Sequence, residues 1–209
     1  MFDKLNLLKL NGYYPDTILD IGAYHGNWTR SMKQVYGNAS YLLFEAIDYD
    51  ELKVFPSVYN VVLNDKVEEV NWYQMKNTGD SIFREKTHFF TDCDIIKRQT
   101  IDLDSVITLE DAKNILIKID CQGAEIPILK GATNILQKTD FIVLEIPLFG
   151  VYNEGVPSFE THITFMKSIG FLPYDILDSH YMNRFNMQID MLFINKSHNF
   201  NTMVNKLLM

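Results

Sequence analysis

Cysteine is scarce: only Cys93 and Cys121 occur in 209 residues. With neither the count of a disulfide framework nor CxxC spacing, two reduced thiols are expected and a structural metal is not. Long apolar runs are also missing. The longest, 115–119 and 141–146, are strand-sized and fall far short of the ~20 residues that a spanning helix requires. The opening Met1-Phe2-Asp3-Lys4-Leu5-Asn6 has no basic segment leading into an apolar stretch, so no secretory signal is read there and the expected location is cytoplasmic. Basic charge is in deficit, with 19 Lys and Arg against 27 Asp and Glu and a net charge of -8. A broad phosphate-binding face needs the opposite balance, so the expected partner is a small-molecule or glycan acceptor rather than nucleic acid.

What is present is an ordinary globular composition, 47% hydrophobic and 22% charged, long enough for one sizeable core. The expected organisation is one domain over 1–209, with a cover segment at 1–14, an inserted region at 66–106 and a C-terminal tail at 197–209. Seven apolar runs (17–21, 41–44, 58–63, 115–119, 141–144, 171–177 and 189–195) read as strands, and most are separated by helical patterns. Period-two alternation over 69–90 suggests a hairpin or meander beside the sheet. Helices are expected from 27 to 36, near 48–54, from 124 to 136 and from 158 to 168. Together these predict an α/β fold: a single Rossmann-like, doubly wound, mostly parallel seven-stranded sheet with an inserted β-hairpin and an antiparallel edge strand.

In such sheets ligands bind at the carboxyl ends of the strands, where strand order reverses. Those positions hold Asp20-Ile21-Gly22, Glu45, Asn64-Asp65, Asp120 and Glu145, an acid after each central run. The turn from Gly22 to Gly26 allows close backbone approach to a ligand, and the helix opening at Asn27 offers free N–H groups. Its GxxxG spacing lacks the third glycine of a dinucleotide fingerprint. Glu45 stands where an acid can accept from ribose hydroxyls. The same residues also fit a plain strand-to-helix turn with a surface acid.

Beyond spacing, the sequence resembles the FkbM family of methyltransferases through most of its length. Pro15-Asp16-Thr17-Ile18-Leu19-Asp20-Ile21-Gly22-Ala23 is similar to the family's first cofactor motif, and Phe44-Glu45-Ala46 to its second. Val62-Leu63-Asn64-Asp65-Lys66, Gly79-Asp80-Ser81 and Thr100-Ile101-Asp102-Leu103-Asp104 follow in family order. Ile117-Lys118-Ile119-Asp120-Cys121-Gln122-Gly123-Ala124-Glu125 is similar to its Lys-Ile-Asp-Val-Glu-Gly-Ala-Glu signature, with Gln122 in place of the usual Glu. The resemblance implies S-adenosyl-L-methionine as cofactor, held by Asp20, Gly22, Ala23, Gly26, Asn27, Glu45, Ala46 and Asp65, and O-methylation of a hydroxyl on a sugar, glycan or metabolite.

An alcohol acceptor calls for a group that removes its proton. Asp120 is the first choice, with an ion pair to Lys118 as the structural alternative, since both sit on one side of the strand. Glu145 is a second acid, and with Asp120 it could offer oxygen ligands, but two carboxylates do not define a metal site. His25 is a base or a polar contact in the turn. Trp72, Tyr73, Phe83, Phe89 and Phe90 form either an acceptor wall or hairpin core. Two rival readings are a cofactor-binding protein without catalysis, which Gln122 would suit, and a nucleotide-sugar or NAD-linked enzyme.

Overall fold

The computed structural model describes residues 1–148 and 151–208, except the Phe89 side chain, so that aromatic lies outside the described residues. Helix α1 (Phe2–Leu10) leads into β1 (Thr17–Ile21), α2 (Asn27–Val35) and β2 (Ser40–Glu45); a short 3-10 turn (Asp50–Val54) precedes β3 (Val58–Asn60) and β4 (Val62–Leu63). Then come β5 (Glu69–Gln74), β6 (Asp94–Ile101), α3 (Leu103–Val106), β7 (Ile115–Ile119), α4 (Glu125–Lys130), α5 (Thr133–Leu136) and β8 (Thr139–Pro147). The chain closes with α6 (Phe159–Ser168), β9 (Phe171–Met182), β10 (Phe185–Asn195) and α7 (Asn199–Leu207).

Seven strands form the main sheet in the order β3-β2-β1-β7-β8-β10-β9. The first five run parallel, and β10 lies antiparallel between β8 and β9. The antiparallel pairing therefore lies at one end of the sheet, with the reversed strand one place in from the edge. Strand order reverses between β1 and β7, which opens the crevice that doubly wound sheets use for ligands.

Alternation sorts the strand residues onto two faces. Leu19, Ile21, Ile115, Ile117, Ile119, Ile142, Leu144 and Phe193 pack against α4, α5 and α6. Ile18, Leu116, Phe141, Val143 and Leu192 pack against Leu5 and Leu8 of α1, Met32 and Val35 of α2, and Phe200 of α7. The N-terminal segment thus covers a face of the sheet. The second face also carries Asp20, Lys118, Glu145 and Asp190, polar positions in register with its apolar ones.

Three local expectations are corrected. The run at 58–63 is continuous in hydrophobicity but breaks at Val61: β3 stays in the main sheet, while β4 joins a small sheet of order β4-β6-β5. The inserted hairpin pairs β5 with β6, antiparallel, so it extends beyond 69–90, and within that stretch an isolated antiparallel bridge joins Tyr73 to Ser81. Asn77, Gly79 and Asp80 end the alternation, because Asp80 accepts the N–H groups of Met75, Lys76 and Asn77 at 2.8, 2.9 and 3.4 Å and folds the chain into a turn. The helix expected over 124–136 is two short ones divided at Gly131, where an added Cβ would stand 2.5 Å from the Asn64 carbonyl oxygen.

Candidate active site

A cleft of about 680 Å³, counting the space at its mouth, opens at the carboxyl ends of β1, β2 and β7. Gly22, Tyr24, Glu45 and Asp120 line its polar side; Phe44, Ala46, Leu63, Trp72, Ile82 and Ile128 line its apolar side. The turn after β5 forms the roof. Ser81 Oγ lies 3.0 and 3.1 Å from the carbonyl oxygens of Cys121 and Gln122 and ties that roof to the loop after β7.

The floor depends on Gly22. Its φ is +75°, and an added Cβ would fall 2.0 Å from the Asp120 carbonyl oxygen, so no larger residue lets the two strand ends approach this closely. Its N–H donates to the Phe44 carbonyl at 3.0 Å. Glu45 is held by the same turn: its carboxylate accepts from the Tyr24 N–H at 2.8 Å and the Ile47 N–H at 3.0 Å. Burial raises the Glu45 carboxyl above its ordinary range, while the N–H groups of Ile47, Tyr24 and Ala46 work against that rise. Each oxygen keeps a lone pair beyond these bonds.

Beside Glu45 lies a charged row across adjacent strands. Lys118 Nζ is 3.5 Å from both Asp20 Oδ1 and Asp120 Oδ2, and it donates to the Gly22 carbonyl at 3.0 Å. Burial pulls the ammonium down, but Asp120 and Asp20 outweigh it and hold Lys118 above its ordinary range. Asp20 is fully buried and also accepts from Thr29 Oγ1 at 2.6 Å, so it supports the turn from below rather than lining the cleft. Gln122, at a left-handed φ of 51°, places its amide between two acids and donates to Asp120 Oδ1 at 3.0 Å and Glu145 Oε2 at 2.7 Å. Burial, with Asp120, Asp190 and Glu125 nearby, pushes the Glu145 carboxyl well above its usual range.

Of the residues expected from sequence, the cleft brings together Gly22, Glu45, Ala46 and Asp120, with Glu145 joined through Gln122. Ala23 is buried in the turn, and its N–H donates to the Phe44 carbonyl at 3.1 Å. Gly26 sits under Phe55 and Leu52, and Asn27 accepts from Arg30 on the outer side, so the start of α2 does not line the cleft. His25 is likewise outside: its Nδ1 is 3.2 Å from Glu51 Oε2, and its ring packs on Tyr24 and Tyr49. Asp65 lines a separate shallow groove with Asn64, Lys66 and Tyr73, because the chain left the main sheet at Val61. Among the aromatics, Trp72 lines the cleft and Phe83 and Phe90 pack around Gly123 and Gly79.

A model of the Methyltransferase FkbM domain matches residues 20–173. The chain belongs to the FkbM methyltransferase family. Among solved structures, the FkbM methyltransferase of Methylobacillus flagellatus is similar at 14% identity and a TM-score of 0.53, over 85% of this chain and 43% of that one. This chain spans less than half the length of that relative. The 1,6-didemethyltoxoflavin-N1-methyltransferase of Burkholderia thailandensis, with bound S-adenosylhomocysteine, superposes at a TM-score of 0.50 and 9% identity, over 93% and 76% of the two chains. The magnesium protoporphyrin IX methyltransferase of Synechocystis, also with bound S-adenosylhomocysteine, gives 0.50 at 8% identity, over 92% and 81%. At such identities the likeness concerns the fold. No curated protein sequence matches. Among the described residues, no helix of this FkbM-family chain is long and apolar enough to cross a membrane.

Sequence reasoning assigned Gln122 as a departure and missed its amide bridge. His180, whose spacing in the sequence suggests no ligand set, and Asp190 stand beside Glu145: His180 Nε2 is 2.8 Å from Asp190 Oδ2 and 3.9 Å from Glu145 Oε1. The available signal was an acid, Asp190, interrupting an apolar strand.

Proposed function

We propose that this FkbM-family protein transfers the methyl group of S-adenosyl-L-methionine to a hydroxyl of a small-molecule or glycan acceptor, with Asp120 as the base. The observation that carries this reading is the single cleft in which Gly22, Glu45 and Asp120 meet. Its chemistry fits the cofactor. Glu45 offers free lone pairs to ribose hydroxyls, the apolar side suits a purine, and the buried Trp72 Nε1 on that side has no hydrogen-bond partner among the described residues. The spacing of the Gly22 turn gives no second close approach for a pyrophosphate, which favours this ligand over NAD.

When bound, the sulfonium supplies an electrophilic methyl group. Asp120 would then act on the acceptor, taking the hydroxyl proton as its oxygen accepts the methyl group from the sulfonium, which would leave as the neutral thioether. Lys118 and Gln122 fix the Asp120 carboxylate by the contacts given above, so the base is oriented before an acceptor arrives. Burial favours the neutral form of Glu145, so it does not compete with Asp120 as a base. His25 serves as a positioning residue of the Tyr24 turn through Glu51.

The reading is tested by incubating the protein with radiolabelled S-adenosyl-L-methionine and pools of sugars, glycans and hydroxylated metabolites. Label in an alkali-stable ether that Asp120→Asn abolishes is the expected result. Label arriving only on nitrogen, or transfer undiminished in Asp120→Asn, would contradict it.

A further inference from the structure

We propose that Glu145, His180 and Asp190 form a binding site for one divalent cation such as Mn²⁺, joined to Asp120 of the cleft through Gln122. The three residues lie on adjacent strands of the rigid main sheet: Glu145 of β8 pairs directly with Asp190 of β10, and His180 reaches across from β9. One donor atom from each falls within 4.8 Å of the other two. Ligands at ~2.1 Å from an ion sit ~3 Å apart at right angles and ~4 Å apart when opposed, so the 2.8 and 3.9 Å separations from His180 need only small adjustment. Two carboxylate oxygens and one imidazole nitrogen suit a divalent ion of intermediate hardness.

The burial of the carboxylates points the same way. The side chains of Glu145 and Asp190 are only 9% and 8% exposed, whereas His180 is 42% exposed and gives the site its opening to solvent. Buried acids without a cation are costly. Lys118 is already committed to Asp20, Asp120 and the Gly22 carbonyl. A His180–Asp190 ion pair accounts for two of the three groups and leaves Glu145 with amide donors alone. The amides of Gln122 and Gln188 both donate to Glu145 Oε2, at 2.7 and 3.1 Å, and among the described residues no amide or backbone donor reaches Oε1, which faces His180. Oε1 is therefore the atom left open for a ligand bond.

Three protein ligands leave positions for oxygens on a six-coordinate ion. The Gln122 amide links Glu145 to Asp120, so an acceptor hydroxyl held by the cation would lie next to the base. That role rests on the hydroxyl-transfer reading above, but the site itself does not.

The test is a Mn²⁺ titration of the full chain followed by electron paramagnetic resonance, with S-adenosylhomocysteine affinity measured on the same samples. One Mn²⁺ per chain is expected, with a pulsed spectrum showing one coupled imidazole nitrogen. His180→Ala and Asp190→Asn are expected to weaken Mn²⁺ binding by about 10-fold or more. Failure to retain Mn²⁺, a bound ion without nitrogen coupling, or unchanged affinity in His180→Ala would overturn the site. If the variants fold poorly, the nitrogen coupling in the unaltered chain decides. Mn²⁺ bound as expected with no S-adenosylhomocysteine affinity would uphold the site and remove the methyltransferase reading; the reverse pattern would remove the site alone.

Discussion

The side-chain amide of Gln122 donates to Glu145 Oε2 at 2.7 Å while the same nitrogen donates to Asp120 Oδ1 at 3.0 Å. A carboxylate at position 122 has no proton to give and would set a third acid against two. Gln122→Glu is therefore expected to lower stability by about 1–3 kcal/mol at pH 7 in the presence of a chelator. The loss should shrink toward pH 5, where the new acid, its pKa raised by its neighbours, regains a proton and can donate. Urea unfolding at the two pH values reads this directly, and equal stability of variant and parent at pH 7 would contradict it.

Replacing Asp120 by Asn keeps the shape and removes the proton acceptor. Turnover on a true acceptor is expected to fall by about 100- to 10,000-fold, with little change in S-adenosylhomocysteine affinity. Steady-state rates beside a binding titration separate the two effects. A parallel loss of affinity would make Asp120 a cofactor ligand instead.

Gly22→Ala combines a left-handed φ of +75° with a Cβ placed 2.0 Å from a backbone oxygen. The expected cost is about 1–3 kcal/mol or more in stability, together with weaker cofactor binding as β1 and β7 are pushed apart. A variant as stable as the parent would mean that the turn closes differently.

Much of the architecture was legible because buried strands are apolar runs: six of the seven runs, and the first half of the run at 58–63, are the strands of the main sheet. The break at Val61 was not legible, since hydrophobicity is continuous from Val58 to Leu63 and only pairing decides which sheet each half joins. Gly22, Glu45 and Asp120 could be found from their places after β1, β2 and β7. Asp65 lies outside the cleft, because its strand had already left the main sheet. Gln122 read as a loss in sequence, where only the missing charge is visible; its two bonds exist because the ends of β7 and β8 are neighbours. His180 and Asp190 meet Glu145 through the register of β9 on β10, which is shifted by irregularities that no periodicity records.

Glu125 gives the stability curve a signature. It is buried, accepts from the N–H groups of Cys121 and Gly123, and lies 4.0 Å from the equally buried His162. Burial pushes its carboxyl up to about 7. Below the unfolded value near 4.5 the acid is protonated in both states and its contribution is fully present; as pH rises through 7 the contribution is lost, by about 3 kcal/mol at most. Burial lowers the His162 pKa, so that residue costs stability as pH falls, in parent and variant alike. The stability of the parent relative to Glu125→Gln should therefore decline between pH 4.5 and 7.5, and a flat difference in urea unfolding would show that Glu125 ionises normally.

The most direct test of the central claim is a calorimetric titration of the purified chain with S-adenosylhomocysteine, run beside NADH and repeated on Glu45→Ala. The account predicts one S-adenosylhomocysteine site per chain, no NADH binding, and an affinity about 10- to 100-fold weaker once the Glu45 carboxylate is gone. Binding of NADH without S-adenosylhomocysteine, or an affinity that ignores the loss of Glu45, would contradict it.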